Sequence, residues 1–268
     1  MKSIGISAIC ALIILSGCQK QDCTDTKTSK EQLSQQLEGA VLWYQQAAEM
    51  RLSYYQAYAY AKVILDKNLA SLNADQKPAV VLDIDETVLD NSPYEGYLIE
   101  NGETYGSKTW KEWTSMAKAE VLPGVKDFIS YAQSKGVEVY YISNRTVDML
   151  NSTIDNLKTE GLPNADSTHV LLKEETSDKT IRRNKVRETH QIIVFVGDNL
   201  TDYHELYADR DAGMGKDLVD QNLAELLNNF VMLPNPMYGE WEAAIYKNDF
   251  NQADSTKLKL RRQSLKSY

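Results

Sequence analysis

Five short apolar runs mark the chain after its first quarter: AVVLDI at 79–84, VEVYYIS at 137–143, THVLLK at 168–173, QIIVFVGD at 191–198 and FVMLP at 230–234. Each is continuous and rich in β-branched or aromatic side chains, the mark of a strand buried on both faces. Between them, apolar positions recur at helical spacing over 125–134, 147–160, 179–189 and 218–228. Strands alternating with helices predict an α/β fold, a Rossmann-like parallel sheet with helices on both faces. All the runs except the last end in polar residues, which places those side chains at the carboxyl edge of the sheet, where open α/β sheets take their ligands.

Ahead of the sheet, Leu33, Leu37, Val41, Tyr44, Ala48, Leu52 and Tyr55 recur at three- and four-residue steps. The pattern from Glu31 to about Leu72 predicts two helices, or one bent around the domain, and it is too rich in Ala and Tyr for a coiled-coil seam. The preceding stretch QKQDCTDTKTSK is polar and aperiodic, so 18–30 is read as a flexible linker. Residues 1–17, with Lys2 and an apolar run from Ile4 to Leu15, have the character of a secretory signal too short to span a bilayer comfortably. The sequence Leu15-Ser16-Gly17-Cys18 resembles a bacterial lipobox, which implies cleavage before Cys18 and a lipid on that cysteine. The domain is then 31–268, with helical cap elements expected from about 31–75 and 91–121.

Composition narrows the class. The chain has 268 residues, 43% hydrophobic and 25% charged, the balance of a soluble globular protein and not of a disordered, collagenous or multi-span one. A net charge of −9 argues against a nucleic-acid polymer as partner. Of the three cysteines, Cys10 falls in the signal and Cys18 in the lipobox. Cys23 alone remains, so no internal disulfide framework forms and stability rests on packing.

The polar strand ends carry the chemistry. The first run ends in Asp83-Ile84-Asp85-Glu86-Thr87. An EF-hand starting at Asp83 would need Gly at its sixth position and Glu at its twelfth, where Val88 and Tyr94 stand, so a calcium loop is excluded. The second run ends in Ile142-Ser143-Asn144-Arg145, offering a hydroxyl and a backbone N–H where an anion could sit at a helix N-terminus. The fourth ends in Gly197-Asp198-Asn199-Leu200-Thr201-Asp202. Carboxylates crowded from two strand ends are costly unless a hard divalent cation joins them. His169, His190 and His204 show no metal-ligand spacing and are assigned structural roles.

DIDET, SNR, a lysine between the third and fourth strands, and GDNLTD follow the motif order of the haloacid dehalogenase superfamily of phosphohydrolases, which this chain resembles over about 83–202. The longer segments DIDETVLDNSPY, KTIRR, VGDNLTD and LPNPMYGEW resemble the class C acid phosphatases, bacterial surface lipoproteins that include the lipoprotein e family of 5′-nucleotidases. The resemblance implies a haloacid dehalogenase fold with a small helical cap, and an acidic optimum. It implies Asp83 as nucleophile and Asp85 as proton donor and acceptor, with Mg²⁺ held by the Asp83 side chain, the Asp85 main-chain carbonyl and Asp198. Asp202 would stand behind the metal or position its water. Ser143, the Asn144 N–H and a lysine would hold the phosphoryl oxygens. Lys173 ends the third strand, but Lys179 lies in the SDKTIRR context and is favoured; Arg182 and Arg183 are expected at the surface or in ion pairs. Aromatics cluster between Asn91 and Val121 and again at 238–241, and the resemblance singles out Trp110, Tyr238 and Trp241 for stacking on a nucleobase.

The substrates so implied are phosphomonoesters: 5′-nucleotides or nicotinamide mononucleotide. The location implied is the bacterial cell envelope, the outer membrane where the source is Gram-negative. Pairing into a homodimer stays open. Two alternatives stand beside this reading: an anchored lipoprotein that captures haem or a nucleotide without hydrolysis, and a broad-specificity acid phosphatase. A mere binder has no need of both Asp83 and Asp85.

Overall fold

Thr28 decides where the first helix starts. Its side chain accepts from the Glu31 N–H while the Glu31 carboxylate takes the Thr28 N–H, a capping box that opens α1 at Ser29, inside the span expected to be linker. The computed structural model describes residues 27–210 and 213–268; the signal, the lipobox with Cys18, and Cys23 lie outside the described residues.

The elements run α1 (Ser29–Gln35), α2 (Glu38–Gln46), α3 (Ala48–Leu69), β1 (Pro78–Leu82), β2 (Leu89–Asp90), α4 (Ser92–Glu100) and α5 (Ser107–Ser115). Next come β3 (Glu120–Val121), α6 (Val125–Ser134), β4 (Glu138–Thr146), α7 (Leu150–Thr159), β5 (Val170–Lys173) and α8 (Thr180–Arg187). The chain continues through β6 (Gln191–Gly197), α9 (Leu200–Tyr203), α10 (Lys216–Gln221), α11 (Leu223–Asn229), β7 (Phe230–Met232), α12 (Glu240–Ile245) and α13 (Asp254–Ser264).

The main sheet is parallel, in the order β5-β4-β1-β6-β7. Its apolar runs look continuous because alternate residues feed two cores. Val80, Leu82, Val139, Tyr141, Val194 and Val196 enter one, and Ala79, Val81, Tyr140, Ile142 and Phe195 enter the other. Full burial of each Val, Leu or Ile contributes about 1.5–3 kcal/mol before entropy is counted. β1 is central, and the chain leaves it toward β4 on one side while β6 lies on the other, so its carboxyl end is the topological switch point.

The long helical stripe is three helices: α1 gives way to α2 at Gln36–Leu37, and Ala47 takes an extended ψ of 130° between α2 and α3, which shifts the buried face so that Ala48, Leu52 and Tyr55 of the stripe are exposed. That changes the cap expected from 31–75. Tyr54, Tyr58, Ala61, Ile64 and Leu65 of α3 lie in the first core with β1, β4 and β6, so α3 covers the sheet instead of standing over its edge. α1 and α2 pack on α4. Likewise the helix expected over 218–228 breaks at Asn222 into α10 and α11. No helix among the described residues is long and apolar enough to cross a membrane.

At the amino edge of the sheet, far along β4 from its polar end, Glu138 joins two histidines: His169 Nε2 at 2.6 Å and His190 Nε2 at 2.8 Å. Burial opposes protonation of His169, but Glu138 and Asp166 outweigh it and raise its pKa above the ordinary 6.5. The hydrogen bond from His169 leads the effects that hold Glu138 below its ordinary 4.5. The histidine contribution is complete below about 6.5 and fades as pH rises through the raised value; the carboxylate contribution is complete above about 4.5 and fades as pH falls through the lowered one. Glu138→Gln is therefore expected to lower Tm by about 2–4 °C near pH 5.5 and by less at pH 8.5, measured by calorimetry. An equal drop at both values would contradict the linkage.

Candidate active site

The site is built on the turn that follows β1. The Asp83 N–H donates to Val196 O at 3.0 Å, so Asp83 still sits on the β1–β6 ladder while its side chain reaches the sheet edge. The next residues wrap around Ile84 O, which accepts from Val88 and Leu89, both at 2.8 Å. This winding puts Glu86 in the left-handed region, at φ 57°. Tyrosines of α2 and α3 hold the strained turn: Tyr54 donates to Glu86 O at 2.5 Å and Tyr58 to Thr87 O at 2.7 Å, while the Tyr44 hydroxyl meets that of Tyr54 at 2.6 Å. Glu86 itself is fully buried; Oε1 accepts from Asn91 N and Oε2 has no hydrogen-bond partner. Burial pushes its carboxyl well above the usual range, toward the neutral acid.

Asp83 meets the acidic motif after β6. Oxygens of Asp83, Asp198 and Asp202 all lie within 4.8 Å of one another, the one such group among the described residues. Lys179 enters from the start of α8, buried, donating to Asp83 and, at 2.7 Å, to Asp202. Asp202 Oδ2 also accepts the Asn199 N–H at 2.9 Å, and Asp198 accepts from Asn235 at 2.9 Å. Burial raises the Asp83 pKa to about 7, Lys179 opposing and Asp202 and Asp85 adding to it. Burial, then Asp202 and Asp83, also lifts Asp198 well above its usual range. For Lys179 burial works the other way, but the two aspartates outweigh it and keep it protonated.

One ammonium faces three carboxyl groups. Oxygens this close fit around a single hard ion with metal–oxygen distances of ~2.0–2.6 Å, so the donor set suits Mg²⁺ or a similar cation. Asp202 therefore stands among the metal-ligating candidates and not behind them.

The Asp85 carboxylate points elsewhere. Its Oδ1 accepts from Arg145 Nε at 2.9 Å and Asn91 Nδ2 at 2.9 Å and pairs with Arg145 NH2 at 2.8 Å; Oδ2 accepts from Ser143 Oγ at 2.9 Å. Ser143 is buried within β4, which runs on to Thr146, so the helix N-terminus expected beside it is absent there. Its hydroxyl instead accepts the Arg145 N–H at 3.0 Å. Asn144 is exposed and turns its side-chain oxygen to Arg182 at 2.8 Å. Lys173 stays in the ladder opposite Thr146 at the end of β5.

Arg182 and Arg183, expected at the surface or in ion pairs, are both buried, and Arg183 stands in an ion pair with Asp178 at 3.9 Å. Arg182 donates to Ser143 O at 2.5 Å, and Arg183 to Thr201 O at 2.8 Å. They tie α8, and with it Lys179, to both neighbouring motifs.

The three aromatics do not share one ring cluster. Trp110 of α5 packs on Tyr94 at 5.1 Å between centroids and lies over Arg145, whose Cζ is 5.7 Å from its ring. Tyr238 is half-buried against the first core, and Trp241 donates to Tyr238 O at 3.1 Å at the start of α12. Asn91, Arg145, Asn235 and the tyrosine hydroxyls of α2 and α3 are the contributors that sequence reasoning missed. Arg145 had a signal in SNR, directly after Ser143 and Asn144, and Asn91 and Asn235 had one in the segments DIDETVLDNSPY and LPNPMYGEW, which named no role for them.

Comparison with known proteins fixes the class. The model of the haloacid dehalogenase superfamily, subfamily IIIB (acid phosphatase), matches residues 4–241. The chain belongs to that family of phosphomonoesterases. Its fold is similar to the class C acid phosphatase of Bacillus anthracis, with a TM-score of 0.84 and 43% identity over 88% of this chain and 99% of that one. The form of that enzyme with tungstate bound gives 0.83 and 42%, with the same coverage. Among curated proteins, the stem 28 kDa and 31 kDa glycoproteins of Glycine max are each 30% identical over 159 residues, 55% of this chain. The match spans 58% and 50% of those proteins, about half their length.

Gly197 is the tightest position. A Cβ there would lie 2.2 Å from Asp202 Oδ2 and 2.5 Å from Asp202 Cβ. Gly197→Ala is expected to push Asp202 away from Lys179 and to lower hydrolysis of a chromogenic phosphomonoester by at least ~10²-fold, with circular dichroism unchanged. Unaltered turnover would show that the position of Asp202 is not critical.

Proposed function

We propose that the chain is a Mg²⁺-dependent acid phosphatase acting on small phosphomonoesters, nucleoside 5′-monophosphates or nicotinamide mononucleotide foremost, through an aspartyl-phosphate on Asp83. The observation that carries this reading is the site itself: Asp83, Asp198 and Asp202 gathered around Lys179, with Asp85 beside them on a separate network. Capture alone would not call for a second motif carboxylate fixed by four donors.

In the first step an Asp83 oxygen forms a bond to phosphorus. The bond from phosphorus to the ester oxygen breaks with its electron pair, and that oxygen takes a proton from Asp85. In the second, water attacks the phosphoryl group and yields a proton to Asp85; the bond to Asp83 breaks, releasing inorganic phosphate. Lys179 supplies fixed positive charge, and Ser143 with the Asn144 N–H offers donors to the phosphoryl oxygens, each such donor typically worth ~10²–10³ in rate. Repulsion between a carboxylate and an anionic ester is ~4 kcal/mol per charge pair at ~4 Å and an effective dielectric of ~20. Mg²⁺, held by Asp83, Asp198 and the Asp85 main-chain carbonyl with Asp202 alongside, would neutralise that charge and polarise the phosphoryl oxygens. A tetrahedral oxyanion bound by the Bacillus anthracis relative supports a phosphate-shaped site.

Trp110, packed on Arg145, would offer one face to a flat leaving group, and Tyr238 and Trp241 a second. The lipid on Cys18 would tether the enzyme to the cell envelope, at the outer membrane of a Gram-negative source. Phosphate release should be measured across 5′-nucleotides, 3′-nucleotides and sugar phosphates, with Mg²⁺ or with chelator. The expected pattern is Mg²⁺-dependent release favouring 5′-nucleotides, lost by at least ~10³-fold in Asp83→Asn. Full activity in that variant, or tight nucleotide binding without release by the unmodified chain, would overturn the reading; equal rates on all esters would mean broad specificity.

A further inference from the structure

Resting on that reading, we infer that Arg145 is a positioning residue for the proton-transferring carboxylate, and that cap helix α5 holds it in place. Arg145 is 2% exposed, and its guanidinium is engaged on every side. Nε and NH2 both meet Asp85 Oδ1, NH1 donates to Thr153 Oγ1 at 3.2 Å, and NH2 also reaches Asn91 Oδ1 at 3.3 Å. The indole of Trp110 lies over its Cζ, a cation–π contact. Asn91 in turn donates to the same Asp85 oxygen and accepts from Trp113 Nε1 at 2.8 Å. Both tryptophans belong to α5, so one helix of the cap braces both groups that grip Asp85.

The division of donors assigns the two oxygens. Oδ1 receives Arg145 twice and Asn91 once, which saturates it. Oδ2 meets a single hydroxyl, that of Ser143, which can rotate toward a phosphoryl oxygen without moving backbone. Oδ2 is then the atom that gives its proton to the departing ester oxygen, and Arg145 sets the direction in which it points. A buried guanidinium held through its nitrogens and covered on one face by Trp110 holds a carboxylate within the narrow geometry that proton transfer needs. The arrangement also ties chemistry to recognition: a leaving group that settles on α5 presses on the element that aligns the acid.

The test exploits the fact that a general acid matters only for a leaving group that needs a proton. Arg145→Met and Arg145→Lys are compared with the unmodified enzyme on a nucleoside 5′-phosphate, whose alkoxide leaves poorly, and on dinitrophenyl phosphate, whose phenolate leaves unaided. The readout is kcat/KM, which reports the first transfer alone, together with inhibition by inorganic phosphate. For Arg145→Met the nucleotide value is expected to fall ~10²-fold or more while the dinitrophenyl value stays within about threefold, with phosphate inhibition little changed. Arg145→Lys, which keeps the charge but not the fork, should fall between. Equal losses on both esters, or a loss of phosphate inhibition, would overturn the proposal and make Arg145 a fold or phosphate-binding residue. If Arg145→Met does not fold, Trp113→Phe removes the donor to Asn91 and should show the same ester-dependent split at several-fold size; no split there also overturns it. An unmodified enzyme that cleaves neither ester would instead sink the phosphatase reading itself.

Discussion

Two buried acids pair with a single buried lysine while a third, partly buried, brings an oxygen within 4.8 Å of theirs, and most of this structure answers the cost of that arrangement. Removing ionised carboxylates from water is unfavourable by several kcal/mol each unless paired, so the site's protonation is pushed upward at Asp83 and Asp198 while Lys179 stays charged. An assembly of this kind is stored potential for a cation and a phosphoryl group, and the rest of the fold supplies the energy to keep it assembled. Two apolar cores, one on each sheet face, do so without any disulfide among the described residues.

The scaffold converts that energy into position. Tyr54 and Tyr58 are core residues by burial, yet their hydroxyls secure the carbonyls of the turn that aims Asp83 and Asp85. Arg182 and Arg183 perform the equivalent task from the other side, linking α8 to Ser143 O and Thr201 O. Gly197 is bare because Asp202 occupies the space a side chain would need. Packing and catalysis are thus served by the same residues, which ties the site's precision to the stability of the sheet.

How much of this could be read from the sequence follows from the range of each interaction. The five strands of the main sheet were legible because burial on both faces leaves an uninterrupted apolar run, while their order across the sheet and the short β2–β3 pair were not; DIDET and GDNLTD were legible because a strand end fixes the spacing of its own carboxylates. Lys179 was found through its local context. The breaks at Ala47 and Asn222 carry no proline or glycine to announce them. Asn91 and Asn235 act across 6 and 37 positions of chain, and polar residues in loops give no periodic signal. Tyr54 and Tyr58 lay off the recurring stripe, which ran on through the exposed Leu52 and Tyr55 because the break at Ala47 shifts the buried face; periodicity also says nothing about what a buried hydroxyl donates to. For Arg183 the ion pair was anticipated and is made with Asp178, but its burial was not, because a charged helix residue is ordinarily solvated and here carbonyls of another segment also take its donors.

The central claim is that Asp83, Asp198 and Asp202 form a divalent-cation site. Calorimetric titration of chelator-stripped protein with Mg²⁺, set beside Asp198→Asn, addresses it without any reference to turnover. The account predicts one saturable site per chain in the unmodified protein and its loss, or a large weakening, in the variant. No binding to the unmodified protein, or the same affinity in both, would contradict it.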